Sequence, residues 1–382
     1  MTDATTDLTD LDSRPRRARL AWAVPALAVV AVAGAVTVPM VATASPSLPA
    51  KSAAQLLVDV SQASGTPLSG TVVETARLGL PALPEVGGAA ISPTALLAGS
   101  HTARVWYDGA DKARVALVGD LAETDLVRNG RDVWLWTSGK NTAQHIVLPA
   151  PDPKKQSATP TPSESLTPQA AAQQALAAVD PTTEVRVDGT ASLAGRSAYE
   201  LVLSPRDTRS LVGDVRIAID SETSVPLRVQ VNAAKSSGRP AFETAFTSVT
   251  FAKPAAHVFR FAPPPGAKVT GPGTSSSAAP EVPDAAGTPK SDSRPRVIGK
   301  GWTAVVELPG MSLPSSGGSR DEGSGSVSET LGALTRAMTP VSGSYGSGRV
   351  LRTKLVSVLL LDDGRVFVGA VRPEVLEQAA GS

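Results

Sequence analysis

Between Ser100 and Leu148 four turn dipeptides, Asp108-Gly109, Gly119-Asp120, Asn129-Gly130 and Ser138-Gly139, punctuate the chain at short, nearly even intervals. Gly and Asn supply the positive-φ positions of tight hairpins, so this spacing leaves no room for a long helix. It predicts five short strands in an antiparallel meander. Within Arg128–Thr137, Val133 and Leu135 fall on one strand face and Asp132, Trp134 and Trp136 on the other. Two indoles on one face need cover. A packed core and a cavity around an apolar guest both satisfy that need.

The N-terminal part sets the compartment. Residues 1–19 form a polar tail ending in a basic cluster, Arg14, Arg16, Arg17 and Arg19. Residues 20–44 then run without a charge, long enough to span a bilayer. Arginines ahead of such a run place the N-terminus inside the cytoplasmic membrane and everything after it outside. A single-pass anchor is one reading. A signal peptide cleaved after Ala44 is the other, because Ala42-Thr43-Ala44 is a small-x-small site. Both export residues 45–382.

Past the membrane segment, Ala50–Ser64 carries Leu56, Leu57 and Val60 at helical spacing. Leu68–Leu78 alternates as a strand, and residues 79–99 read as a loop with one helical turn. After the meander, the Pro/Ser/Thr tract 149–168 lacks the apolar area that would offset ordering entropy. An Ala-rich helix at 169–179 precedes six more strands, the last being HVFRFAP. Clean alternation in these strands suits antiparallel sheet with one packed face. Residues 50–268 therefore form the main domain, 269–297 a disordered linker, and 298–382 a small α+β unit. In that unit the sequence predicts a strand from Trp302, a helix from about Val327 to Met338, two strands (VLRTKLVSVLLLD and VFVGAV), and a terminal helix.

Several functions are set aside by composition. Without cysteine there is no disulfide, thiolate site or cysteine nucleophile. His101, His145 and His257 have no metal-ligand spacing. A net charge of +1 gives no nucleic-acid footprint. The glycines of SGSYGSGRV lead into a strand, not a helix, which suits a hairpin entry better than a phosphate loop. Asp362-Asp363 reads as a turn pair. No GxSxG, HExxH or Walker pattern occurs, so a non-enzyme with no cofactor and no metal is expected.

The meander with its VWYDG, VRNG and VWLW elements, followed by YELVLSP and VRIAIDSETSVPLRVQV, resembles the LolA/LppX/RseB superfamily of exported lipoprotein-binding proteins. The resemblance covers about residues 50–268, and the segments from GWTAVVEL onward are similar to the end domain of RseB-like members. High Ala, Pro, Gly and Arg content suits an actinobacterial source. The resemblance implies an open, unclosed antiparallel β-barrel of about eleven strands, mainly β in class, with helices covering the concave face. Members of the superfamily bind acyl chains of lipoproteins, or act as envelope sensors that bind an anti-sigma factor. The family's cavity aromatics would fall on Trp106, Trp134 and Trp136, with Val105 or Tyr107 on the alternate face and Leu56, Leu57 and Val60 on the covering helix. The expected function is a membrane-tethered, non-catalytic lipid- or lipoprotein-binding envelope protein. The alternative is a stress regulator contacting an anti-sigma factor through its C-terminal unit.

Overall fold

A computed structural model of the chain describes residues 47–80, 98–119, 122–150, 167–177, 179–235, 238–271, 295–308 and 335–382. The expected membrane segment 20–44, most of the 79–99 loop and most of both linkers lie outside these residues. Among the described residues no helix is long and apolar enough to cross a membrane.

Helix α1 (Ala53–Gln62) starts where Ser52 caps it, the Ser52 hydroxyl accepting from the Gln55 amide at 3.2 Å. Leu56 and Val60, one turn apart, form its buried side. The chain then enters β1 (Leu68–Arg77) and the five-strand meander: β2 (Ala98–Tyr107), β3 (Lys112–Val118), β4 (Glu123–Asn129), β5 (Asp132–Thr137) and β6 (Thr142–Val147). Gly130, at φ 63°, turns β4 into β5 as the Asn-Gly signal predicts. The Ala-rich helix is α2 (Pro168–Ala177). After it come β7 (Thr183–Leu193), β8 (Arg196–Pro205), β9 (Val212–Asp220), β10 (Pro226–Ala233), β11 (Phe242–Thr250) and a short β12 (Lys268–Thr270).

These strands make one sheet in the order β12-β6-β5-β4-β3-β2-β1-β11-β10-β9-β8-β7. Eleven of the twelve are antiparallel, and β12 runs parallel to β6. The sheet does not close on itself, because β7 and β12 stand at opposite edges. The fold is the open β-barrel that the sequence led us to expect. Its two halves meet at a seam where β1 pairs β11, Ser69 lying opposite Thr250. A bulge interrupts the seam between Thr71 and Val72.

Both helices lie on one face, where the core sits. Leu56, Val60 and Ala172 pack there on Tyr199, Leu201 and Leu203 of β8, Val215, Ile217 and Ile219 of β9, and Val229 and Phe242 beyond. Alternation puts these strand residues on the same side.

A second sheet is built from β13 (Arg296–Ile298), β14 (Val305–Leu308), β15 (Thr339–Gly343), β16 (Gly346–Arg352), β17 (Ser357–Leu361) and β18 (Val366–Gly369), in the order β13-β14-β18-β17-β16-β15. Helix α3 (Pro373–Ala380) covers it, burying Leu376 against Leu359 and Phe367. This unit docks on the main sheet. The Leu211 amide donates to the Ala370 carbonyl at 2.8 Å, Lys354 donates its amide to Leu78 at 2.8 Å, and the Trp302 indole donates to Thr183 at 2.8 Å.

Three local expectations need correction. VLRTKLVSVLLLD is two strands, because the Thr353 hydroxyl accepts from the Leu355 and Val356 amides and folds the chain into a tight turn. HVFRFAP is no strand. Between Pro254 and Pro263, which lack amide donors, it forms a helical turn at Ala256–Phe259 and an irregular strap. Trp302 stands in a turn ahead of β14. Of the helix expected at 327–338, only 335–338 is described, and 335–337 is helical.

Candidate functional site

Strand register divides the expected site residues between two faces. Val105 and Tyr107 point to the helix side, with Leu56, Leu57 and Val60 across from that face. Trp106, Trp134 and Trp136 point to the opposite side. The eight residues do not converge on one cavity.

On the opposite side, Trp106, Arg114, Val127, Trp134 and His145 stand in one cross-strand row from β2 to β6. Trp134 stacks on His145 with ring centroids 4.3 Å apart and meets Phe261 at 5.3 Å. Arg114 lies 5.6 Å over the Trp106 ring, donates to the Val258 carbonyl at 3.1 Å, and pairs with Asp125 at 2.6 Å. Burial pushes the Asp125 carboxyl up, against the pull of Arg114. The cover over these tryptophans is the 256–261 strap, anchored by buried Phe259. The Trp136 indole donates to Asn141 at 3.4 Å, and Asn141 donates to the Pro265 carbonyl at 3.4 Å. The Trp134 indole thus packs on the chain's own strap.

The helix-bearing face is different. A row of apolar side chains, Val105, Val115, Leu126 and Leu135, runs outward across β2 to β5. Val105 and Val115 are fully buried. Leu126 and Leu135 are only half-buried, and Ile146 on the next strand is 41% exposed. Both helices pack on the far half of the sheet, so this row emerges from the covered core as an open apolar slope.

A second row crosses the same face. Thr244 of β11, Glu74 of β1 and His101 of β2 stand side by side, all buried. Glu74 Oε1 and Thr244 Oγ1 have no hydrogen-bond partner, and neither has Thr124 Oγ1 on β4. Burial pushes the Glu74 carboxyl up to about 8, so at neutral pH it is largely protonated and can donate a hydrogen bond. Sequence reasoning missed Glu74, although a signal was present: in Val72-Val73-Glu74-Thr75-Ala76 the acid shares its parity with two apolar residues.

Chemically, this is a neutral, apolar surface with a few unsatisfied polar groups, which suits reception of a ligand better than reaction. Among the described residues no group of His, Asp and Glu could hold a metal ion.

Comparison with known proteins agrees with an envelope location. The family described as "Predicted periplasmic protein (DUF2092)" matches residues 92–270. No curated protein matches the chain. Similar solved structures include the MucA/MucB complex of Pseudomonas aeruginosa, at 17% identity, covering 86% of this chain and 97% of that one with a TM-score of 0.42. An uncharacterized conserved protein of Thermus thermophilus is 16% identical, with 57% and 98% coverage and a TM-score of 0.33. A LolA superfamily protein of Nitrosomonas europaea is 11% identical, with 56% and 99% coverage and a TM-score of 0.22.

Proposed function

We propose that this chain is an extracytoplasmic envelope protein that binds acyl-bearing lipid or lipoprotein on the helix-bearing face of its open sheet, without catalysis. One observation carries the reading: the row Val105, Val115, Leu126 and Leu135 starts in the buried core and runs out, still apolar, past the helices. Each methylene buried there stabilises a complex by about 0.8 kcal/mol, so a carrier of this kind needs no charged anchor. Residues 20–44 tether the protein to the cytoplasmic membrane, which keeps the apolar slope close to its lipid source. Native mass spectrometry of the purified chain tests this. Acyl-bearing adducts that disappear in Leu126→Asp and Leu135→Asp support it. A protein that carries no adduct and ignores a fluorescent fatty acid rules it out.

A second reading is favoured by the C-terminal unit. Its sheet ends in β15, a largely exposed edge strand suited to pairing with an added strand. The partner would be a membrane protein such as an anti-sigma factor, with lipid on the main sheet as the signal. Co-purification of a membrane protein with the full chain, lost in Val341→Pro, supports this reading. Recovery of the same partner with both forms argues against it.

A further inference from the structure

A cleft of about 370 Å³ opens where the C-terminal unit meets the main sheet. Its floor is apolar, from Leu78, Leu211 and Ala233. Four cationic side chains line it: Lys235 after β10, Arg352 and Lys354 at the β16–β17 turn, and Arg372 at the start of α3. They come from three separate elements and converge on one opening. Lys354 reaches it with its stem lying over Gly79.

Among the described residues no carboxylate lines this cleft. None of the four cations forms an ion pair within 4 Å among the described residues; the Arg372 guanidinium donates to the Thr208 carbonyl at 3.3 Å. The acid beside Thr208, Asp207, is engaged by Arg209 at 2.7 Å, whose hydrogen bonds, with a weaker pull from the Arg372 charge, hold its carboxyl below the usual range. Several arginines elsewhere are neutralised by neighbouring acids. Arg196 pairs with Asp220 and Glu222, Arg216 with Asp188 and Asp214, and Arg228 with Glu200. Four cations without an ion pair within 4 Å among the described residues thus converge on one concavity.

We propose that this cleft binds a phosphate-bearing ligand. Two arginines offer planar forks that match phosphate oxygens, and two lysines add point charge. The volume suits a phosphorylated headgroup or small phosphate ester. The apolar floor would receive the adjoining carbon chain. The proposal goes beyond acyl binding on the β2–β5 slope and does not depend on it.

The test uses the full chain in detergent, with calorimetric titration of two probes: sn-glycerol 3-phosphate and short-chain phosphatidylglycerol. Binding of both, or of the first alone, identifies a soluble phosphate ester as sufficient. Binding of the second alone identifies a lipid headgroup. Either result must weaken at least tenfold in Arg352→Glu/Lys354→Glu, both exposed positions, and weaken with added salt. A Lys235→Gln variant checks the same effect from a third element. Failure of both probes, or equal affinity in wild type and charge-reversed protein, overturns the proposal. Fluorescent fatty-acid binding, followed in the same variants, stays unchanged if the two sites are separate.

Discussion

Tyr107 on β2 and Tyr199 on β8 hold opposite ends of the α1 segment. The Tyr199 hydroxyl donates to the Pro49 carbonyl at 2.8 Å, just ahead of the helix, and the Tyr107 hydroxyl donates to Ser64 at 2.9 Å, just after it. Between these two strands stand β1, β11, β10 and β9. The helix is therefore pinned across the seam of the sheet, from the second half to the first.

Removing either hydroxyl should loosen one end only. Tyr107→Phe and Tyr199→Phe are each expected to destabilise the protein by about 1 kcal/mol. Hydrogen exchange should accelerate at the C-terminal turn of α1 in the first and at the N-terminal turn in the second. Uniform acceleration over the whole sheet would refute this pinning.

Glu74 gives a pH dependence with a definite sign. Its folded carboxyl titrates near 8 and its unfolded one near 4.5, so between those values the native state holds a proton that the unfolded chain releases. Stability should fall as pH rises through that window, by on the order of 5 kcal/mol in all. Glu74→Gln should flatten the profile, read as melting temperature between pH 5 and 8.5. An equally steep profile in the variant would sink the assignment.

The Arg114–Asp125 pair should show the asymmetry of a buried ion pair. Arg114→Ala leaves Asp125, 3% exposed, without its partner and should destabilise by roughly 3 kcal/mol. Asp125→Asn should be milder, because no buried charge is stranded. Denaturant titration of both variants separates the outcomes, and equal losses would contradict the argument.

Gly70 lies beside the bulge on the helix-bearing face, and a Cβ there would run into the Ser248 carbonyl and the Phe246 ring. Gly70→Val should therefore destabilise by roughly 2–3 kcal/mol, with spectroscopic change centred on the seam. A neutral effect would show that the seam can shift to make room.

Much of this architecture could be read from residues. The meander followed from its turn dipeptides, and α1 from the spacing of Leu56 and Val60, because local chemistry decides both. The β1–β11 seam was not legible, since no local signal specifies which distant edge a strand will find. The tryptophans were legible as a pair needing cover, but Trp136 reaches Asn141, and Trp134 meets Phe261 on a strap that alternation had marked as a strand. Prolines on both sides of that segment were the contrary signal. Glu74 escaped notice because a single acid in a strand usually faces water, and only tertiary packing decides that this one does not.

The seam has a kinetic consequence under the proposed export of residues 45–382. When β1 and the meander emerge, one edge of β1 still waits for a partner that lies beyond residue 240. Such distant pairing makes folding slow, and the waiting edge invites pairing with other chains. Under that export the early half stands outside the membrane as an incomplete sheet until β11 arrives to complete the seam.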